Sequence, residues 1–226
     1  MCFYSKHKFV ESISAFRRAV YLNPFDWAIL FNLGLVYMAT ANFASAFHQF
    51  SAAINLNNRF PPLFLYLAVS LSYLDDVENG QISFQRALQL LDRQRDSKKE
   101  GKPNHKKVKL RLGADESNLE VTECLIHINW AIMLMKRVYV LHQELFGSIK
   151  AFRFKSESTP EISDAADEEE REEIAFQFEQ MQQHKQDALE HWKVFRARWK
   201  VLDEEARSTE LSNVSKQQSL LEAIFR

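Results

Sequence analysis

Between Phe9 and Leu91 apolar side chains recur in steps of three and four, interrupted at regular intervals by short polar or proline-bearing stretches. Such spacing lines one face of a helix. It predicts helices over 6–22, 26–39, 43–56, 61–74 and 77–91, with Pro24, Asn57-Asn58 and Pro61-Pro62 marking breaks between them. The pattern also repeats on a longer scale. A step of 34 residues back carries Phe43, Ala46, Phe50 and Ala53 onto Phe9, Ser12, Phe16 and Ala19; the same step forward carries them onto Val77, Gly80, Phe84 and Ala87.

A period of 34 with small and large residues in this order is that of the tetratricopeptide repeat, a helix-turn-helix unit. The expected fold is therefore all-α: a tetratricopeptide-repeat solenoid followed by a long C-terminal helical segment. The pattern follows from close helix packing. Gly34 and Ala46 let the two backbones of a pair approach, and Leu33, Tyr37 and Phe50 fill the space between them. Ala53 makes room for the next unit; one period on, Ala68, Phe84 and Ala87 keep the seam. Residues 6–22 read as the second helix of a unit whose first helix is missing, so Phe9, Ile13, Phe16, Val20 and Tyr21 would form an open apolar face. Since arrays end in polar caps, the expectation is that the sequence begins inside a longer array.

The repeats occupy 1–92, as half a unit plus two full ones. A basic linker is expected over 93–116, carrying Arg93, Arg95, Lys98, Lys99, Lys102, Lys106, Lys107, Lys109 and Arg111. It has no aromatic residue among its charges to stack on bases, and so reads as a solvated insertion rather than a nucleic-acid patch. Over 117–152 degenerate further repeat helices are expected. Asn129-Trp130-Ala131 can be laid on Asn32-Leu33-Gly34, but Gln143, Gly147 and Lys150 stand where the pattern wants Ala46, Phe50 and Ala53. An acidic linker over 153–171 precedes C-terminal helices over 172–226. There Met181, Lys185, Ala188, Trp192, Phe195, Trp199, Leu202 and Ala206 follow steps of three and four. The aromatic bulk argues for packing on a partner or back on the array rather than a two-stranded coil. A short amphipathic helix is expected at the end through Leu220, Leu221, Ile224 and Phe225.

Composition narrows the function. With a formal net charge of -1 there is no global attraction to nucleic acid or membrane. The apolar stretch from Cys124 to Leu141 is broken by His127, Asn129, Lys136 and Arg137, so no membrane span is expected. Cys2 and Cys124 belong to no disulfide or zinc framework, which fits a reducing cytoplasm. The five glycines never cluster into a phosphate-binding loop. His184 and His191 lie two helical turns apart, too far to share a metal, and the carboxylates from Glu168 to Glu173 form a solvated run. No enzyme activity, cofactor or metal is expected.

A binding surface remains. In this repeat type the first helix of each pair lines a concave groove, where Phe31, Leu35, Met38, Leu65, Val69 and Tyr73 are the candidate partner-binding residues. Only Asn32 stands at a clamp-like place, with no lysine or arginine to meet an acidic peptide end. The competing reading packs Phe31, Leu35 and Val69 inside the array.

Residues between the repeat positions carry a resemblance. The runs Asn23-Pro24-Phe25-Asp26-Trp27, Phe31-Asn32-Leu33-Gly34-Leu35-Val36-Tyr37 and Phe43-Ala44-Ser45-Ala46-Phe47-His48 resemble the Bardet-Biedl syndrome protein four family, tetratricopeptide subunits of the BBSome. Leu67-Ala68-Val69-Ser70-Leu71 and Leu74-Asp75-Asp76-Val77-Glu78-Asn79 are similar to its next repeat, and Asn129–Leu134 is a fainter echo of a third. The resemblance covers about 9–92 plus that patch, under half the chain. It implies a scaffold in a coat-like complex that moves membrane proteins into and out of cilia. Its partners would be other BBSome subunits and centriolar-satellite or motor-adaptor proteins, at the cilium, basal body or centrosome. The alternative is a free-standing tetratricopeptide adaptor or co-chaperone that binds a peptide.

Overall fold

A computed structural model describes residues 8–99, 119–158, 164–202, 214, 217, 219 and 221–223. The described residues are all-α, in seven helices: α1 (Phe9–Leu22), α2 (Trp27–Ala39), α3 (Phe43–Leu56), α4 (Pro61–Tyr73), α5 (Val77–Lys99), α6 (Leu119–Ser158) and α7 (Asp164–Val201). The first five stack as a tetratricopeptide-like solenoid.

Local chemistry fixes the boundaries. Asp26 starts α2 by accepting from the Ala28 N–H at 2.9 Å, and Asn42 starts α3 by accepting from Ser45. Pro61 and Pro62 occupy the first turn of α4, where a missing N–H costs nothing. Asp76 accepts from the Asn79 N–H at the head of α5. The turn inside each pair needs one left-handed residue, Ala41 at φ 55° and Asp75 at φ 60°, one repeat apart.

α2 and α3 pack so closely that a Cβ on Gly34 would lie 2.5 Å from Phe50 Cε1. Around that contact Leu33, Tyr37, Ala46, Phe50 and Ala53 are buried, and one unit on so are Ala68, Phe84 and Ala87. Phe50 stacks against Tyr66 of the following helix. Ile13, Phe16 and Val20 of α1 pack on this core, whereas Val10, Tyr21, Leu22 and Phe25 stand exposed.

Beyond the array the helices run longer than the charge pattern suggests. α5 continues to Lys99, so the basic stretch is helical up to that point. Arg93 and Arg95 are good helix formers, and Arg95 pairs with Asp92 one turn back. Lys102, Lys106, Lys107, Lys109 and Arg111 lie outside the described residues. α6 is one helix of 40 residues rather than a helix pair, because nothing near Gln143 and Gly147 breaks it. The acidic run likewise belongs mostly to helix: α7 begins at Asp164, where alanines and glutamates favour the first turns. Residues 159–163, Ala206, Leu220, Ile224 and Phe225 lie outside the described residues.

α6 takes the place of a next first helix against α4 and α5. Trp130 stacks on Phe84 with ring centres 5.5 Å apart, and Met133 sits over Gly80. Asn32 and Asn129 each donate to the carbonyl four residues back, Ala28 and Leu125, at 2.7 Å. Leu119–Ala151 contains an 18-residue window that is apolar enough by length and composition to cross a membrane, yet half of that window is buried inside the fold. α7 lies along α6, and Val214 and Leu221 join Trp192, Phe195 and Cys124 in a further core.

Candidate partner-binding surface

The expected concave groove is largely filled. Phe31, Leu35 and Leu65 are buried. Phe31 meets Phe50, Phe60 and Tyr66 at ring distances of 5.6–5.8 Å. α2 is apolar on every side, so packing against α1, α3 and α4 takes the residues assigned to a ligand. Met38 and Val69 are half-buried. Tyr73 is open but already partnered: it stacks flat on Phe43 at 4.1 Å, and the Lys136 ammonium lies 3.8 Å above its ring. Burial lowers the Lys136 pKa, against a smaller upward pull from Asp75. These six residues therefore form no single open site.

The junction of α5, α6 and α7 is where charge is concentrated. The Glu123 carboxylate on α6, only 6% exposed, accepts from Arg95 of α5 and pairs with Arg198 of α7 at 2.8 Å. The hydrogen bond to Glu123 raises the Arg95 pKa. One buried carboxylate thus ties three helices. Next to it, Cys124 is buried and its thiol is pushed up to about 12, which leaves it protonated and unreactive.

One turn along, His127 Nδ1 and His191 Nδ1 are 3.0 Å apart, and the His191 ring stacks on Trp130 at 4.0 Å. Burial, then the proximity of His191 and Arg198, holds His127 down to about 4; burial also lowers His191. The partner of His191 is therefore His127. Among the described residues no group of three or more His, Cys, Asp or Glu side chains could hold a metal ion.

Past Lys136 the core formed by the described residues belongs to α6 and α7, through Val138, Leu141, Leu145, Ile174 and Met181. This part of the pair is a two-helix arm about 30 Å long, counted from Val138 to Ser158 at 1.5 Å per residue. Several large apolar side chains stand on its surface. Tyr139, Phe146 and Ile149 lie along one side of α6 at 66%, 63% and 47% exposure, and Phe176 and Phe178 are exposed on α7. A helix pair with a narrow buried seam and aromatic side chains outside it is suited to contact with another protein. In the sequence Tyr139, Phe146 and Ile149 read as part of a degenerate repeat, and Phe176 and Phe178 as part of a C-terminal helix packing on a partner or back on the array.

No protein-family model matches the chain. Over 172 residues it is 38% identical to the BBSome complex member BBS4 of Xenopus tropicalis, a match covering 74% of this chain and 28% of that protein. Over 90 residues it is 49% identical to BBS4 of Mus musculus, covering 40% of this chain and 17% of that one. The BBS4 homolog of Drosophila melanogaster matches 87 residues at 41% identity, 38% of this chain and 18% of its own length. The chain spans less than a third of the length of each. The longest of these matches reaches well past the repeats that carried the resemblance in the sequence.

Proposed function

We propose that this chain, a part-length relative of the BBS4 proteins, is a non-enzymatic protein–protein scaffold and a subunit of a BBSome-like complex. In that role it would serve ciliary membrane-protein trafficking from the cytoplasm, basal body or cilium. The observation that carries the reading is the α6–α7 arm: a repeat array that projects a helix pair with exposed Tyr139, Phe146 and Phe176 offers area for a partner. Relationship to BBS4 supplies the complex in which such a partner is sought. The alternative of an acidic-tail adaptor has less support, since the groove it needs is occupied by Phe31, Leu35 and Leu65.

The test is affinity purification of the tagged chain from ciliated cells beside a Phe146→Asp/Phe176→Asp variant, with bound proteins identified by mass spectrometry. Recovery of BBSome subunits by the wild type and their loss from the variant is the expected outcome. Substitution of Phe31 or Leu35 would be uninformative, because both are core residues. Recovery of chaperones alone, with no BBSome subunit, would sink the scaffold reading.

A further inference from the structure

An open cleft of about 310 Å³ lies among α1, α2 and α3. Its size is at the small end of ligand sites, enough for one or two residues of a partner. The lining is neither apolar nor balanced in charge. Arg17 lines it together with Val20, Leu33, Tyr37, Ser45, His48 and Gln49, and no carboxylate is among them.

Arg17 is held in place rather than left to wander. Its Nε donates to the Tyr37 hydroxyl at 3.0 Å, and its guanidinium carbon lies 5.9 Å from the centre of the Tyr37 ring. Both terminal nitrogens remain, and among the described residues they have no carboxylate or other acceptor. Nor do the Ser45 hydroxyl and the Gln49 amide have a side-chain partner there. A cation preset by one bond and surrounded by neutral donors is arranged for an acceptor from outside.

We propose that this cleft binds a carboxylate, namely an aspartate or glutamate side chain on a segment of a partner protein. Two parallel bonds from Arg17 would hold the two oxygens, with Ser45, His48 and Gln49 donating beside it. A single fixed cation suits a monoanion; a phosphate dianion is normally met by several. This deepens the scaffold reading by giving the array a contact of its own, separate from the arm.

The probe is a capped pentapeptide with one central glutamate flanked by alanine and glycine, titrated into the ¹⁵N-labelled full chain and followed by NMR. Saturable shifts should cluster at Tyr37, Ser45, His48 and Gln49, with a Kd of about 1 mM for so small a contact. The glutamine counterpart of the peptide, and the exposed Arg17→Gln variant, should each bind at least roughly tenfold more weakly, the value of one lost charge-assisted bond. Tyr37→Phe should weaken binding by less, since the cation stays while its anchor goes. Scattered shifts, equal binding of the glutamine peptide, or an unchanged Kd in Arg17→Gln would overturn the proposal. Tighter binding of inorganic phosphate, or of an uncapped peptide whose only carboxylate is its chain end, would overturn the side-chain assignment. Because the assay uses no other complex member, its failure would leave the purification result of the arm variant standing.

Discussion

Acid should loosen the seat of α7 on α6 at the His127–His191 contact. With Nδ1 atoms 3.0 Å apart, one imidazole donates and the other accepts, an arrangement open to the neutral pair. Protonating both would set two donors face to face beside Arg198. His127 is held at about 4 in the folded chain, against about 6.5 when unfolded. Between those values the unfolded chain binds more protons, so stability is fully present above about pH 6.5 and is lost as pH falls toward 4. At pH 5 the gap amounts to about 2 kcal/mol from His127, somewhat less with partial access of water. His191, also lowered, adds in the same direction.

The assay is urea unfolding at pH 7.5 and pH 5.0, followed by helical circular dichroism, on the wild type and on His127→Gln. Glutamine keeps a donor for His191 but does not titrate. Acid-sensitive groups elsewhere are present in both proteins, so the difference isolates the His127 contribution. The wild type should lose about 2 kcal/mol more than the variant over this interval. Parallel losses would refute the reasoning, because they would mean that His127 has water enough to titrate normally.

Three further outcomes are expected. Gly34→Ala should destabilise by about 1–3 kcal/mol in chemical denaturation, since overpacking against Phe50 outweighs the ~1 kcal/mol by which alanine favours a helix; Phe50→Leu in the same chain should return part of the loss. Ala41→Gly should raise stability by about 1 kcal/mol, as its φ of 55° is left-handed, and an unchanged melting midpoint would show that the turn is unstrained. Glu123→Gln should cost about 2–3 kcal/mol, below the usual range for a buried pair because Arg198 is 45% exposed, and its penalty should shrink in high salt.

The array was legible because its geometry is written at fixed offsets. Gly34, Ala46, Phe50 and Ala53 have to be small or large where two helices touch, and that demand returns every 34 residues. The groove was not legible, for the same physical reason that made the core easy to find. α2 has no polar face, so periodicity could not tell which of its apolar residues face a ligand and which face α1, α3 or α4. Along α7 the steps of three and four at Met181, Ala188, Trp192 and Phe195 did mark the buried seam. Its partner α6, apolar around most of its first half, gave no matching stripe. Charge runs misled where arginines and glutamates were taken as linker, although both are good formers of exposed helix. The Arg95–Glu123–Arg198 and His127–His191 contacts join residues far apart in the chain, and no local spacing announces them.

α6 has a mechanical consequence. Its 40 residues make a rod about 60 Å long, whose first half is wedged against Phe84 and Met133's seat over Gly80 while its second half stands clear of the array. Rod and seat are one uninterrupted helix, so there is no joint to absorb a load. A tilt of about 5° where Trp130 meets Phe84 would carry the tip sideways by about 4 Å, and a tug at the tip would arrive at that stacked pair as torque. Whatever grips the outer end of the arm is therefore geared to the last layer of the solenoid.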